Sequence, residues 1–84
     1  MRKIKVLIVD DAVVIRRIVS DLLSEDSEIE VAGVAANGRI ALSKIPIVNP
    51  DIITLDIEMP EMNGLEALAE IRKLYPKLPV IMFS

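Results

Sequence analysis

Short β-branched segments alternate with segments of helical periodicity, and this alternation constrains the fold more than any other feature of the sequence. The predicted strands are Lys3–Val9, Ile29–Ala35, Asp51–Asp56 and Pro79–Ser84. The predicted helices are Val14–Leu22, a short helix around Arg39–Ile45, and a third helix that begins at Asn63. This alternation of strands and helices is typical of a parallel α/β sheet with right-handed crossover connections.

The sequence also predicts where two helices end or begin and which faces they bury. We expect Pro46 to end the second helix because proline lacks a backbone N–H. Asn63 and Glu66 have the spacing of a capping box at the start of the third. Two helices carry an apolar face that should pack against the sheet. These faces consist of Val14, Ile15, Ile18, Val19 and Leu22 in the first helix, and of Leu65, Leu68, Ile71 and Tyr75 in the third.

The composition excludes several classes of protein. The 84 residues suffice for one domain, and a hydrophobic content of 52% excludes a disordered chain. Cysteine and histidine are both missing from the sequence, which excludes disulfides, thiol nucleophiles and imidazole bases. Ten Lys and Arg residues against thirteen Asp and Glu give a net charge of −3, which argues against nucleic-acid binding. No apolar stretch is long enough to cross a bilayer, so we expect a cytoplasmic protein.

Polar side chains stand at the carboxyl ends of three predicted strands. Asp10 and Asp11 follow the first strand, Asp56 ends the third, and Ser84 ends the fourth. The carboxyl ends of parallel strands share one edge of the sheet, where ligands bind in folds of this class. If these three strands are neighbours, the polar side chains converge.

A cluster of three carboxylates is expected to hold a metal ion. Like charges this close repel each other, and one carboxyl would protonate unless a cation neutralised the group. Oxygen is the only donor available, which favours Mg²⁺, and a carboxylate beside the ion could form an aspartyl phosphate. Simpler interpretations are that Asp10 or Asp11 caps the first helix and that Asp56 begins a turn toward Pro60.

Three motifs resemble the receiver domains of two-component response regulators. They are VDDA at Val9–Ala12, TLDIEMPEMNG at Thr54–Gly64 and VIMFS at Val80–Ser84. Their details are most similar to the receiver that precedes the esterase domain in chemotaxis protein-glutamate methylesterases. The resemblance spans residues 1–84 and implies a flavodoxin-like, doubly wound parallel sheet with strand order 2-1-3-4. It also implies a partial receiver domain that lacks the last helix, strand and helix of the family.

The resemblance implies a role for each matching site residue. Asp56 corresponds to the residue that accepts a phosphoryl group. Asp10, Asp11 and Asp56 correspond to the Mg²⁺ ligands, and the backbone carbonyl of Glu58 completes the coordination. Ser84 corresponds to the hydroxyl residue that hydrogen-bonds the phosphoryl group.

The resemblance further implies partners and a regulatory role without enzymatic activity. The phosphoryl donor would be a histidine kinase acting in trans, and the output would pass to an effector such as a methylesterase domain outside this chain. Met59 and Pro60 correspond to the rim of the phosphorylation pocket. The family's fifth-strand lysine has no counterpart here, and the fourth strand is then an exposed edge through which we expect self-association.

Two other functions stay open at this level. The chain could be a receiver-derived interaction fragment that does not switch, because the lysine and the usual output surface are missing. The second alternative is a metal-dependent phosphatase or a Toprim-like enzyme, since Asp56-Ile57-Glu58 has DxE spacing beside another acidic strand end. Such enzymes place their acids differently, typically as DxD, so the phospho-accepting receiver is the leading hypothesis.

Overall fold

The computed structural model describes residues 2–83 and shows a four-stranded parallel sheet with helices on both faces. The elements are β1 (Ile4–Val9), α1 (Val13–Ser24), β2 (Ile29–Ala35), α2 (Gly38–Val48), β3 (Ile52–Asp56), α3 (Gly64–Leu74) and β4 (Val80–Phe83). The strand order is β2-β1-β3-β4, and every neighbouring pair is parallel. The α/β fold and the strand order predicted from the sequence are therefore confirmed.

The main core lies between the sheet and the helices α2 and α3. Successive side chains of a strand point to opposite faces, so Leu7 and Val9 of β1 enter this core while Val6 and Ile8 are buried on the face that α1 covers. The fully buried core side chains of β3 are Ile53 and Leu55. Two central strands with apolar residues on both faces form a rigid base for the residues that follow them.

Helix α2 continues through Pro46, so the prediction that this proline ends the helix was wrong. Pro46 lies in the last turn, where its missing N–H removes a single hydrogen bond. Packing of Ala41 and Ile45 into the core stabilises the helix against that loss. The helix ends at Asn49, whose left-handed backbone (φ 48°) lets its N–H donate to the Ile45 carbonyl at 2.9 Å.

The predicted apolar face of α1 is largely exposed to solvent. No residue of α1 is fully buried, and Leu22 keeps 61% of its accessible surface. The helix contacts β1 and β2, but Val14, Ile15 and Ile18 all remain exposed. Helix α3 shows a smaller deviation. Ile71 of its predicted apolar face is buried, as expected, but Leu65 is 60% exposed, and Ala67 from outside that face is buried as well.

Strand β4 forms one edge of the sheet, and Ile81 on it is exposed. Self-association through this strand stays a prediction. We expect sedimentation velocity to show species larger than the 9.3 kDa monomer, and Ile81→Lys to shift the distribution toward the monomer because edge charges oppose strand pairing. Ile47→Lys, at an exposed position on α2, should leave the distribution unchanged. A compact monomer at all concentrations would contradict the prediction.

Within residues 2–83, no helix combines the length and the apolar character that crossing a bilayer requires.

Candidate metal centre

Three acidic side chains meet beyond the carboxyl ends of β1 and β3. The two strands are paired with Val9 opposite Leu55, so Asp10 and Asp56 follow side by side at the same edge of the sheet. One carboxylate oxygen from each of Asp10, Asp11 and Asp56 can be chosen so that all three lie within 4.8 Å of one another. The convergence expected from the sequence is thus present for the three carboxylates.

Hydrogen bonds on three sides fix Asp10, which is only 4% exposed. Its N–H donates to the Ala35 carbonyl of β2 at 3.0 Å, and its Oδ1 accepts from the Ala12 N–H at 2.9 Å. Its carbonyl oxygen accepts from Nη1 of Arg16 at 2.6 Å. The N-cap of α1 is Ala12, with no capping side chain. The simpler interpretation of Asp10 or Asp11 as a helix cap was therefore wrong.

The charges of this cluster are unfavourable in the absence of a cation. Burial raises the pKa of the Asp56 carboxyl, and the neighbouring charges of Asp10 and Asp11 raise it further. The backbone N–H groups of Ile57 and Glu58 act in the opposite direction on this pKa without cancelling the increase. Like-charge repulsion between desolvated carboxylates is relieved when a cation binds among them.

The acidic cluster is accessible from solvent through an open cleft of about 750 Å³. Its lining residues are Asp11, Asp56, Glu58, Met59 and Pro60. Met59 and Pro60 thus lie at the rim, where the resemblance placed them. Met59 also packs against the main core and so links the rim to the interior of the molecule.

A tight junction at the start of α3 closes the loop that follows Asp56. The Gly64 N–H donates to the Ile57 carbonyl at 2.7 Å. A Cβ atom at Gly64 would overlap the Asp56 carbonyl oxygen and lie 2.7 Å from the Ile57 Cα, so only glycine fits here without a shift. Asn63 and Glu66 form the predicted capping box, with hydrogen bonds of 2.9 and 3.1 Å.

Sequence reasoning missed several residues that hold the site together. Gly64 was recognisable as a glycine directly after an N-cap, where a better helix former is usual. Asn37 precedes a glycine, which indicates a turn, but its hydrogen bond to Glu61 has no local signal in the sequence. Ser84 lies outside the residues that the structure describes, and its hydrogen bond to a phosphoryl group stays a prediction.

Comparisons with known proteins agree with this architecture. Residues 6–84 match the response regulator receiver domain family. The chain is 62% identical over its whole length to the protein-glutamate methylesterase/protein-glutamine glutaminase of Trichodesmium erythraeum, of which it covers 24%. It is 58% identical over its whole length to the protein of the same name from Nocardioides sp., of which it covers 23%. The chain thus spans about a quarter of the length of these relatives.

Solved structures show the same likeness. The response regulator domain of Thermotoga maritima CheB superposes with a TM-score of 0.91 at 43% identity, over 96% of this chain and 60% of that one. A CheX-CheY-BeF3-Mg complex from Borrelia burgdorferi gives a TM-score of 0.89 at 34% identity, over 96% of this chain and 61% of the other. The family match, the parallel sheet and the acidic cluster at its carboxyl edge agree, and the chain belongs to the response regulator receiver domain family, as a regulatory module of the chemotaxis CheB type.

Proposed function

We propose that this chain is a phospho-accepting module of a chemotaxis-type two-component system, with Asp56 as the acceptor and Mg²⁺ as the cofactor. The observation that supports this most directly is the group of three carboxylates within 4.8 Å at the carboxyl edge of β1 and β3. An enzyme with DxE acids is less well supported, because the family match covers residues 6–84 and describes a receiver.

The residues of the cluster fit a magnesium ion. Carboxylate oxygens of Asp10, Asp11 and Asp56 and the backbone carbonyl of Glu58 would hold it, and this donor set contains only oxygen, as Mg²⁺ prefers. When bound, Mg²⁺ neutralises negative charge on the phosphoryl oxygens during transfer. The raised pKa of Asp56 supports the assignment, because it comes from desolvation and, next, from the uncompensated negative charge of Asp10 and Asp11.

The transfer step is chemically simple. A carboxylate oxygen of Asp56 attacks the phosphorus of a phosphorylated histidine on the kinase. An O–P bond forms as the P–N bond breaks, and the imidazole nitrogen keeps the electron pair and takes up a proton from solvent. The location of Asp56 supports this role, because it ends β3 and lines a cleft that is open to solvent, where a partner protein could approach.

The partners follow from the relatives. The kinase acts in trans because the chain contains no histidine. Since similar proteins are named as methylesterases and are about four times as long as this chain, we propose that the module regulates a methylesterase domain outside it, in the cytoplasm. The alternative is a fragment that binds partners without switching. Such a fragment would not become phosphorylated, so a phosphorylation assay distinguishes the two.

Covalent labelling tests the proposed function. Incubation with acetyl phosphate and Mg²⁺, followed by intact-mass spectrometry, should show one phosphoryl adduct, because a small acyl phosphate can replace the kinase as donor. Asp56→Asn should show none, and omission of Mg²⁺ should reduce the yield strongly. Asp21→Asn removes an exposed carboxylate of α1 and should leave the adduct intact. An unmodified wild-type chain, or an adduct that persists in Asp56→Asn, would refute the assignment.

A further inference from the structure

The junction between β2 and α2, residues 35–38, contacts both Asp10 at the end of β1 and the loop that follows β3. On one side, the Ala35 carbonyl accepts the hydrogen bond from the Asp10 N–H. On the other side, Asn37 Nδ2 donates to Oε2 of Glu61 at 3.2 Å, and the Gly38 N–H donates to the Met62 carbonyl at 3.2 Å. This one short junction is therefore hydrogen-bonded both to the end of β1 and to the loop that follows β3.

Asn37 has two separable functions in this turn. It is only 9% exposed, and its Oδ1 caps α2 by accepting from the Ile40 N–H at 2.8 Å. Its Nδ2 makes the contact with Glu61 instead. Because the cap uses the oxygen and the loop contact uses the nitrogen, a substitution can remove one and keep the other.

The loop conformation that receives this contact is not a relaxed one. Glu61 has a left-handed backbone with φ of 66°, which a long side chain seldom adopts and which persists where surrounding contacts impose it. The neighbouring contact is also close, since a Cβ at Gly38 would lie 2.7 Å from the Ala67 Cβ and 3.0 Å from the Met62 carbonyl oxygen. Asn37 and Glu61, which we call the clamp, thus fix the middle of the loop.

We propose that Asn37, acting through Glu61, is a positioning residue for the metal centre. The inference rests on the proposed function, because it concerns the same Mg²⁺ ligands. Glu58 is three residues before Glu61 in the loop, so the clamp sets the position of its backbone carbonyl relative to the carboxylates of Asp10 and Asp56. Partners one step outside a metal site typically change metal affinity by 10- to 100-fold when they are lost.

The variant Asn37→Asp separates positioning from capping. Aspartate keeps the oxygen that caps α2 but replaces the amide donor with an acceptor facing the Glu61 carboxylate. We expect the affinity for Mg²⁺ alone to fall about tenfold, measured by NMR titration of backbone amides near Glu58. The direction is informative, because a negative charge added near a cation site would by itself strengthen binding. Asn49→Asp adds the same charge at the other end of α2 and should not weaken binding.

A reciprocal exchange provides the rescue. In Asn37→Asp/Glu61→Gln, the glutamine amide can donate to the introduced carboxylate, and we expect Mg²⁺ affinity to return to within about threefold of wild type, since partners in direct contact are coupled. A role limited to stability would not produce this recovery. Should Asn37→Asp fail to fold, Glu61→Asn serves instead, because asparagine tolerates a positive φ while the shorter side chain breaks the clamp.

Two results would overturn the proposal: unchanged Mg²⁺ affinity in the folded Asn37→Asp or Glu61→Asn variant, or an exchange variant that stays as weak as Asn37→Asp. Either result could occur while the wild-type chain is still phosphorylated, which would leave the proposed function standing. Normal Mg²⁺ binding and clamp effects without any phosphoryl adduct would refute the proposed function alone.

Discussion

Gly64→Ala is expected to lower the free energy of unfolding by about 2 kcal/mol, because forcing an extra methyl into a packed site typically costs roughly 1 to 3 kcal/mol. The methyl group would overlap the backbone at Asp56 and Ile57. Alanine is otherwise the better residue in a helix, so any destabilisation comes from this overlap. For a domain of this size the change corresponds to a fall in Tm of roughly 8 to 16 °C.

The same substitution should disturb the candidate metal centre, since the displaced atoms include the backbone of Asp56, the proposed acceptor. We expect weaker Mg²⁺ binding together with the lower Tm, measured by thermal unfolding with and without the ion. Gly33→Ala is the matched control, because its Cβ would meet Leu7 and Val48 side-chain carbons at an ordinary 3.5 Å. Equal Tm values for the two alanine variants would show that the junction at Gly64 tolerates a side chain.

Mg²⁺ should stabilise the folded chain by an amount that depends on pH. At a Mg²⁺ concentration of a hundred times Kd, the expected gain is about 2.7 kcal/mol, or roughly 10 to 20 °C in Tm. The gain should shrink at acidic pH, because protons compete with the ion for the carboxylates. Asp56→Asn, which loses one ligand, should show a much smaller gain at neutral pH.

Without metal, the pH dependence contributed by Asp56 has the opposite sign from that of a carboxylate in a salt bridge. Its pKa is raised in the folded state, so the folded chain binds the proton more tightly than the unfolded chain does. This contribution to stability is complete below the unfolded-state pKa and is lost as the pH rises through the folded-state pKa. Metal-free Asp56→Asn should therefore be more stable than wild type at neutral pH, with the difference disappearing on acidification. A metal-free variant that is less stable than wild type at neutral pH would contradict this account.

The features that the sequence predicted correctly depend on local patterns or on general rules of sheet architecture. The capping box of Asn63 and Glu66 needs only a spacing of three residues. The meeting of Asp10 and Asp56 follows from the shared carboxyl edge of parallel strands. The second also requires that β1 and β3 be neighbours, and the family resemblance supplied that strand order.

The features that were missed depend on contacts between distant segments. The exposure of Leu22 and Leu65 reflects which elements lie beside each helix, and an apolar stripe by itself does not carry that information. The continuation of α2 through Pro46 reflects burial of the helix, which outweighs one lost hydrogen bond. The bond from Asn37 to Glu61 spans 24 positions of sequence, and nothing in the sequence near either residue indicates it.

The candidate site combines a rigid part with a more flexible one. Asp10 and Asp56 stand at the ends of the central strands β1 and β3, whereas Glu58 lies in the loop that follows β3. Both acids stand at the ends of central strands that are paired with each other and flanked by β2 and β4, so a change of charge at the cleft has little freedom to move them apart. A change of charge at the cleft is therefore expected to move the loop between Asp56 and Gly64 instead. That loop is bonded to the starts of two helices, to α2 through the Gly38 N–H and to α3 through the Gly64 N–H, so a displacement of the loop is expected to reach both.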